Sequence, residues 1–469
     1  LARDYYGQKP LYYYHSSELF TFSSLLKDCI NLSSNYPEIN KRTAQHGIQF
    51  GMSLLPETIV SGIFEVPPGY LLTLCIHDSY SIVKSFFDLK SRIRSNFQSL
   101  NCGQSFFDQL SNSISRHLVA DCEIGLLLSG GIDSSLIASF LAKEVGNKKI
   151  SAFTLNVPQS LSSRTSTQVA TSLGINHHNI DLIKDEFSNL IDQTFEEIDI
   201  PVYDPAIFSS RYLYRKAKNL NCKVVLTGDG ADERFAGYPR YYKKYLFNRF
   251  NPSFISNEIR KILNKLNQYS FLPRKLNQFS QMVLTNSPAE SYLSMLSDNP
   301  SIYSQYDCIQ FLVQDLFIKD SNPELYSQID QRFFLPNKML LKADRAGMLE
   351  SVESRSPFLD LSFFSLNNLI DNYEPKRLLK MELKGLLSDY PLEAKKEGFF
   401  SPYKLLLTTN SIKKLINSNI FSKVDEIIGL PKFSNRFKNE LKYLKYGKHV
   451  PNSVWNYLAL SKWIELNIL

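Results

Sequence analysis

The pattern of hydrophobic and polar positions changes along the 469-residue chain and divides it into stretches of different character. Over residues 1–85 apolar and polar positions alternate, which is typical of β-strands. Residues 86–104 are polar and lack a steady period, so we expect a linker there. From residue 105 to residue 227 short apolar runs alternate with stretches of helical periodicity, and beyond residue 241 the pattern is mainly helical.

These patterns predict a β-rich unit over 1–85, a linker over 86–104 and an α/β unit over 105–469. Strands alternating with helices of about ten to fifteen residues indicate a doubly wound parallel sheet, in which ligands gather at the carboxyl ends of the strands. The predicted strands are 11–14, 19–22, 69–74, 125–128, 150–157, 179–182 and 223–227, and the predicted helices are 106–119, 136–144, 165–173, 186–198 and 208–219.

The strongest chemical signal lies at 125–135, which reads Gly-Leu-Leu-Leu-Ser-Gly-Gly-Ile-Asp-Ser-Ser and runs directly into a helical pattern. Glycines let the backbone approach a phosphate closely, and the amino terminus of a helix favours anions. Ser129, Ser134 and Ser135 add hydroxyl groups at the same turn. A carboxylate beside a phosphate requires a cation between them, so Asp133 is a candidate magnesium ligand.

The alternative for this turn is a glycine loop with an aspartate helix cap and no ligand. The Walker pattern for γ-phosphate transfer is absent from the chain. The loop instead resembles the pyrophosphate loop of ATP pyrophosphatases, which activate a carboxylate as an adenylate.

A second cluster follows the strand 223–227, where residues 227–233 read Thr-Gly-Asp-Gly-Ala-Asp-Glu. Three carboxylates so close together repel one another unless cations or a phosphate-bearing substrate hold them. We therefore expect Asp133 and Asp232 to share magnesium and Asp229 to act on a reacting group. A solvated acidic turn is the alternative.

Two further groups of charged residues fit an adenylation site. Adenylation requires a cation beside the α-phosphate, and Lys396 is the candidate. Arg355 and Glu353 are candidates for holding the carboxylate and ammonium groups of an amino-acid acceptor. By contrast, we expect the pair His177 and His178 and the two tryptophans, Trp455 and Trp463, to have structural roles.

Composition narrows the classes of partner. The formal charge of +7 comes from 53 basic and 46 acidic residues without a basic tail, so small anions suit the chain and nucleic acid is not indicated. No apolar run is long enough to span a membrane. The six cysteines contain no Cys-x-x-Cys pair, which favours reduced thiols and a cytoplasmic location. A homodimer is left open.

At this point the chain resembles the glutamine-dependent asparagine synthetases of bacterial type, over nearly its whole length. Residues 2–13 match that family's A-R-D-x-x-G-x-K-P-L-Y-Y motif, and Val-Pro-Pro-Gly at 66–69 matches a later turn. The other matching motifs, in order, are Ser-Gly-Gly-Ile-Asp-Ser-Ser at 129–135, Thr-Gly-Asp-Gly-Ala-Asp-Glu at 227–233, Arg-Ser-Pro-Phe-Leu-Asp at 355–360 and Lys-Glu-Gly-Phe at 396–399.

The resemblance implies part of an Ntn-hydrolase glutamine amidotransferase domain of class II, followed by an ATP-pyrophosphatase domain. It also implies ATP and Mg²⁺ as cofactors, aspartate and glutamine or ammonia as substrates, and a role for Asp229 in forming the aspartyl adenylate. Lys396 would contact the α-phosphate. The implied nucleotide residues are Leu128, Leu155, Thr227 and Gly228, and the implied pyrophosphate and magnesium residues are Ser129, Gly130, Gly131, Asp133, Ser134 and Asp232.

The chain departs from the family pattern at several positions. Leu161 and Ser162 replace a usual acidic pair, and Arg234 and Ala231 stand where Leu and a smaller residue are common. The family's nucleophilic cysteine precedes the first motif, so we expect this sequence to work with free ammonia. Two alternatives remain: an amidotransferase or lactam-forming cyclase acting on a sugar uronate or peptide carboxylate, and a nucleotide-binding scaffold without turnover.

Overall fold

The amino-terminal part of the computed structural model contains two small antiparallel sheets. In the first, β1 (Tyr12–His15) lies between β2 (Phe20–Ser23) and β3 (Ile63–Glu65); in the second, β4 (Tyr70–Ile76) pairs with β5 (Ile82–Asp88). These strands confirm the alternating pattern. The structure describes most of residues 1–88, 105–249, 322–392, 400–438 and 452–469, with short gaps inside these ranges and a few isolated positions outside them.

Two helices in this part were not predicted: α1 (Leu26–Leu32) and α2 (Lys41–Phe50). The ends of α2 carry sequence signals that could have revealed it. The Asn40 side chain accepts a hydrogen bond from the Thr43 amide, and Gly51 ends the helix in a left-handed conformation. Strand β5 runs to Asp88, into the stretch 86–104 that we expect to be a linker, and most of the remainder of that stretch lies outside the described residues.

The middle of the chain forms a five-stranded sheet in which every neighbouring pair is parallel, as the alternating pattern predicts. The short β10 was not predicted, because three residues with polar side chains carry little strand signal. In the order β10-β9-β6-β7-β8, the strands are Glu353–Arg355, Cys222–Leu226, Glu123–Leu127, Ser151–Asn156 and Asn176–Asp181.

Helices connect these strands and account for most of the remaining described chain. The predicted helices are confirmed as α3 (Phe106–His117), α4 (Ile132–Glu144), α5 (Leu161–Leu173), α6 (Lys184–Glu197) and α7 (Ala206–Asn219). The later helices are α8 (Ala231–Arg234), α9 (Pro239–Arg249), α10 (Pro323–Arg332), α11 (Leu341–Met348), α12 (Arg377–Leu386), α13 (Tyr403–Leu406), α14 (Asn410–Asn417), α15 (Ile420–Ile428) and α16 (Asn452–Asn467), with a π-helix at Leu335–Leu340 and 3-10 turns at Pro357–Leu359 and Leu361–Ser365.

The carboxy-terminal helix α16 joins the two parts of the fold. Trp455 and Trp463 are buried on it, and their indole N–H groups donate to the carbonyls of Val202 (2.9 Å) and Asp199 (3.0 Å). The Asn456 amide donates to the Ile48 carbonyl of α2 at 3.0 Å. The structural role predicted for both tryptophans is therefore confirmed.

Two expectations about the chain's environment can be compared with the described residues. None of their helices combines the length and apolar character needed to cross a membrane. The cysteines whose side chains the structure describes, Cys29, Cys122 and Cys222, form no disulfide.

Candidate functional site

The predicted phosphate loop lies between β6 and α4, and Gly130 is its most constrained position. Gly130 has a φ of +69°, and a Cβ atom there would lie 2.5 Å from the Ser162 carbonyl oxygen and 2.7 Å from the Ser166 amide nitrogen. Only glycine therefore fits. The Ser134 hydroxyl accepts from the Ser129 amide at 3.1 Å, while the Gly131 amide donates to the Ser129 hydroxyl at 3.3 Å.

Two hydroxyl groups hold the carbonyls of this loop from outside. The Ser162 hydroxyl, on α5, donates to the Ser129 carbonyl, and the Tyr390 hydroxyl donates to the Gly130 carbonyl at 2.8 Å. Because a trans peptide directs its C=O and N–H to opposite sides, these bonds fix the direction of the next N–H group in each case. We call Ser162 and Tyr390 the loop clamp.

The carboxylates of Asp133 and Asp232 meet at one ammonium group, although they follow different strands. Lys376 Nζ lies 2.7 and 2.5 Å from the two carboxylate oxygens of Asp133 and 2.6 Å from Asp232 Oδ1. Burial by itself lowers the pKa of Lys376, but the two carboxylates outweigh it and raise the pKa above its ordinary value. Lys376 therefore carries a positive charge between them.

The local backbone explains how a lysine reaches this position. Lys376 precedes α12 with a left-handed φ of +55°, and its amide donates to the Phe235 carbonyl at 3.2 Å. A Cβ atom at Gly237 would lie 2.1 Å from Asp232 Oδ1 and 2.2 Å from Lys376 Cε. Glycine at 237 thus leaves the space that the lysine fills. Sequence reasoning missed Lys376, because no charge pattern around it distinguishes it from neighbouring lysines.

Asp229 has a hydrogen-bond partner of its own, separate from Lys376. Its Oδ2 atom accepts from the Thr227 hydroxyl at 2.9 Å, and that hydroxyl lies 3.2 Å from the Ser356 hydroxyl. Thr227 is 4% exposed and holds Asp229 against the turn that follows β10. Asp229 is therefore oriented separately from the pair at Lys376.

Glu233, the third carboxylate of the acidic turn, is neutral at neutral pH. Burial, helped by the nearby Asp232 charge, raises its pKa from 4.5 to about 8. The Tyr238 hydroxyl donates to Glu233 Oε1 at 2.8 Å. Of the three carboxylates of the acidic turn, only Asp229 and Asp232 therefore carry a charge at neutral pH. The charge of Asp232 is paired with Lys376.

The structure places the other predicted residues as follows. The residues implied for nucleotide binding lie at or just beyond the carboxyl ends of the adjacent strands β9, β6 and β7: Thr227, Gly228, Leu128 and Leu155.

Ser135 is fully buried within α4. Lys396 lies outside the described residues. His177 contacts the Thr154 hydroxyl (2.9 Å), and the described residues contain no group of three potential metal ligands.

The acceptor pocket predicted around Arg355 and Glu353 is wrong. Arg355 Nε and Nη2 each donate to Glu353 at 3.0 Å, and Nη1 donates to the carbonyls of His117 (2.8 Å) and Val119 (2.9 Å). The hydrogen bonds of the guanidinium thus connect β10 to the end of α3. The two charged groups neutralise each other instead of facing a substrate.

A parallel sheet flanked by helices, with a glycine-serine loop and a carboxylate pair at its strand ends, makes this an α/β protein. The family model for asparagine synthase matches residues 106–465, and the model for a glutamine amidotransferase domain matches residues 1–86. The chain belongs to the asparagine synthase family.

Named relatives agree with this assignment. The chain is 27% identical over 429 residues to glutamine-hydrolyzing asparagine synthetase 1 of Bacillus subtilis (strain 168), covering 86% of this chain and 65% of that protein. Identity to glutamine-hydrolyzing asparagine synthetase of Bos taurus is 27% over 257 residues, covering 52% and 44%. The chain thus spans less than two thirds of these relatives. A solved NMN synthetase from Francisella tularensis, at 15% identity and a TM-score of 0.23, supports no statement about the fold.

Proposed function

We propose that this chain catalyses the ATP-dependent amidation of aspartate: ATP and aspartate give β-aspartyl-AMP and pyrophosphate, and ammonia then gives asparagine and AMP. The observation that carries the proposal is the convergence of Asp133 and Asp232 beside the phosphate loop. Membership of the asparagine synthase family supports the acceptor, and the amidotransferase match supports glutamine as the source of ammonia in the whole protein.

The carboxylate pair fits a magnesium ion bound together with phosphates. Mg²⁺ usually takes one or two carboxylates and completes its coordination with phosphate oxygens and water. Asp133 and Asp232 lie close enough together to share one cation, since a single ammonium group contacts both. When bound, the ion would neutralise charge on the pyrophosphate leaving group.

The remaining steps belong to the chain's own residues. Gly130 and Gly131 present backbone to the pyrophosphate at the start of α4, with Ser129 and Ser134 beside them. In the structure Lys376 supplies the positive charge between the two carboxylates, and a magnesium ion shared by both would take the place of its ammonium group there. We assign Asp229 to the forming acyl adenylate because its carboxylate accepts from the Thr227 hydroxyl and takes no part in the ion pairs with Lys376. Lys396 retains its proposed place at the α-phosphate.

The finer features of the fold belong to the same proposal. We assign residues 1–85 to the later part of an Ntn-hydrolase amidotransferase domain, 86–104 to a linker and 105–469 to a doubly wound ATP-pyrophosphatase domain with a helical carboxy-terminal region. A cytoplasmic location and a homodimer are the corresponding expectations for the protein in the cell.

A panel of carboxylates in an ATP–pyrophosphate exchange assay tests the acceptor. Aspartate should support exchange far better than succinate or glutamate. Exchange with a uronic acid or a peptide carboxylate, but not with aspartate, would replace this proposal with the related amidotransferase or cyclase. If no carboxylate supported exchange while ATP still bound, the chain would be a scaffold without turnover.

A further inference from the structure

Arg234, at the end of α8, is a buried cation. Two of its N–H donor atoms find no hydrogen-bond acceptor among the described residues. Arg234 is 5% exposed, and its guanidinium lies 4.6 Å from the ring centre of Phe364 and 5.7 Å from that of Tyr6. Its Nε and Nη2 atoms are buried and meet no acceptor among the described residues. No described carboxylate forms an ion pair with it.

The two unmatched nitrogens identify the chemistry of a partner. Nε and Nη2 form one edge of the planar guanidinium, and their two parallel N–H groups match the two oxygens of a carboxylate. A buried charge without a partner destabilises a protein, so an anion at this edge would offset that cost. The aromatic faces of Phe364 and Tyr6 contribute cation–π attraction but accept no N–H bond from that edge.

Arg234 is also close in the chain to the carboxylates of the site. It closes the short helix that carries Asp232, and its amide donates to the Gly230 carbonyl at 2.9 Å. A Cβ atom at Gly230 would lie 2.2 Å from Leu359, which belongs to the same apolar cluster as Tyr6 and Phe364. The loop of Asp229 therefore packs against the same apolar cluster whose two aromatic rings face the guanidinium.

We propose that Arg234 binds the carboxylate of the acceptor amino acid that is not activated, the α-carboxylate of aspartate. This inference rests on the proposed function. It gives Arg234 the role that sequence reasoning gave to Arg355, whose donors are already used. Because the free edge is closed to solvent, binding of the acceptor there requires a neighbouring side chain to move.

The test compares wild type, Arg234→Leu and Arg234→Lys in the exchange assay with aspartate and with β-alanine. β-Alanine keeps the reacting carboxyl and the amine of aspartate but lacks the α-carboxylate. Arg234→Leu should raise the KM for aspartate at least about 30-fold. Its KM values for β-alanine and ATP should stay at the wild-type level. Arg116→Leu, which removes a half-exposed arginine paired with Asp360, is the matched control.

An unchanged aspartate KM in a folded Arg234→Leu variant overturns the inference and identifies a purely structural cation. If thermal melting shows that this variant does not fold, Arg234→Lys decides: it keeps the charge but loses the two-donor edge. A raised aspartate KM with an unchanged β-alanine KM supports the inference, and wild-type values refute it. Failure of wild type itself to exchange with aspartate would instead refute the proposed function.

Discussion

At the scale of single residues, the site depends on which charges the fold pairs and which it neutralises. Lys376 links Asp133 and Asp232, while burial keeps Glu233 protonated. The sequence shows the acidic turn clearly, but it contains no information on how deeply each carboxylate is buried. The assignment of Asp133 and Asp232 as neighbours was therefore predictable, whereas Lys376 and the neutral Glu233 were not.

Replacing Lys376 should make the carboxylate pair dependent on a divalent cation. In Lys376→Met the two carboxylates lose their shared counter-charge, so repulsion should lower the thermal midpoint in the absence of metal. Added Mg²⁺ should then raise the midpoint of this variant more than that of wild type. Lys380→Met, which removes a partly buried lysine paired with the exposed Glu374, is the control. Equal Mg²⁺ shifts in wild type and Lys376→Met would contradict the shared-cation geometry.

Glu233 should make stability fall as pH rises. Its pKa is about 8 in the folded chain against an ordinary value of 4.5, so between these values the folded state holds a proton that the unfolded state has released. The stabilising contribution is complete below pH 4.5 and is lost as pH rises through about 8. Glu233→Gln should flatten this part of the stability curve, measured by denaturant unfolding from pH 5 to pH 9. A wild-type slope in the variant would show that Glu233 is already ionised.

At the scale of elements, the sequence predicts those whose pattern is long and regular. The strands and helices from α3 to β9 follow the alternating pattern, and the phosphate loop falls where a strand meets a helix. Helix α1 and strand β10 are short, and tertiary contacts decide their state. Helix α2 is longer, and its Asn40 cap and Gly51 end are the sequence signals from which it could be predicted. The loop clamp was also hidden, because Ser162 and Tyr390 lie far from the loop in sequence.

The clamp leads to a prediction about nucleotide affinity. Tyr390→Phe removes the hydroxyl that holds the Gly130 carbonyl, and should raise the KM for ATP about three- to tenfold, the equivalent of one net hydrogen bond. The KM for aspartate and the thermal midpoint should change little. Tyr36→Phe is the control, because it removes a similar bond, from the Tyr36 hydroxyl to the Ile468 carbonyl, that does not involve the phosphate loop. A loss of stability without a change in the ATP KM would make Tyr390 an ordinary core residue.

At the scale of the whole molecule, the two matched regions are connected through one buried ion pair and its hydrogen bonds. Asp199, which precedes α7, accepts from the Leu26 amide of α1 and pairs with Arg345 of α11 at 3.2 Å. Both charged residues are buried. Arg345 also donates to the Ser24 carbonyl at 3.0 Å. One carboxylate and one guanidinium thus connect the amino-terminal part to the helices around the parallel sheet.

Breaking this connection should destabilise the whole chain. Asp199→Ala leaves the Arg345 charge buried without its carboxylate and should lower the free energy of unfolding by about 3–5 kcal/mol. Glu374→Ala, which removes an exposed partner of Lys380, should cost less than about 1 kcal/mol. Denaturant unfolding of both variants measures the difference. Similar small losses in both would mean that this ion pair does not hold the two parts together.

The central claim is that Asp133 beside the phosphate loop serves ATP-dependent activation of aspartate. The most direct measurement is aspartate-dependent exchange of labelled pyrophosphate into ATP by wild type, Asp133→Asn and the control Asp121→Asn, which changes an exposed aspartate just before β6. Wild type and the control should exchange equally, and Asp133→Asn should lose at least about 100-fold while staying folded. Full exchange by Asp133→Asn would contradict the account.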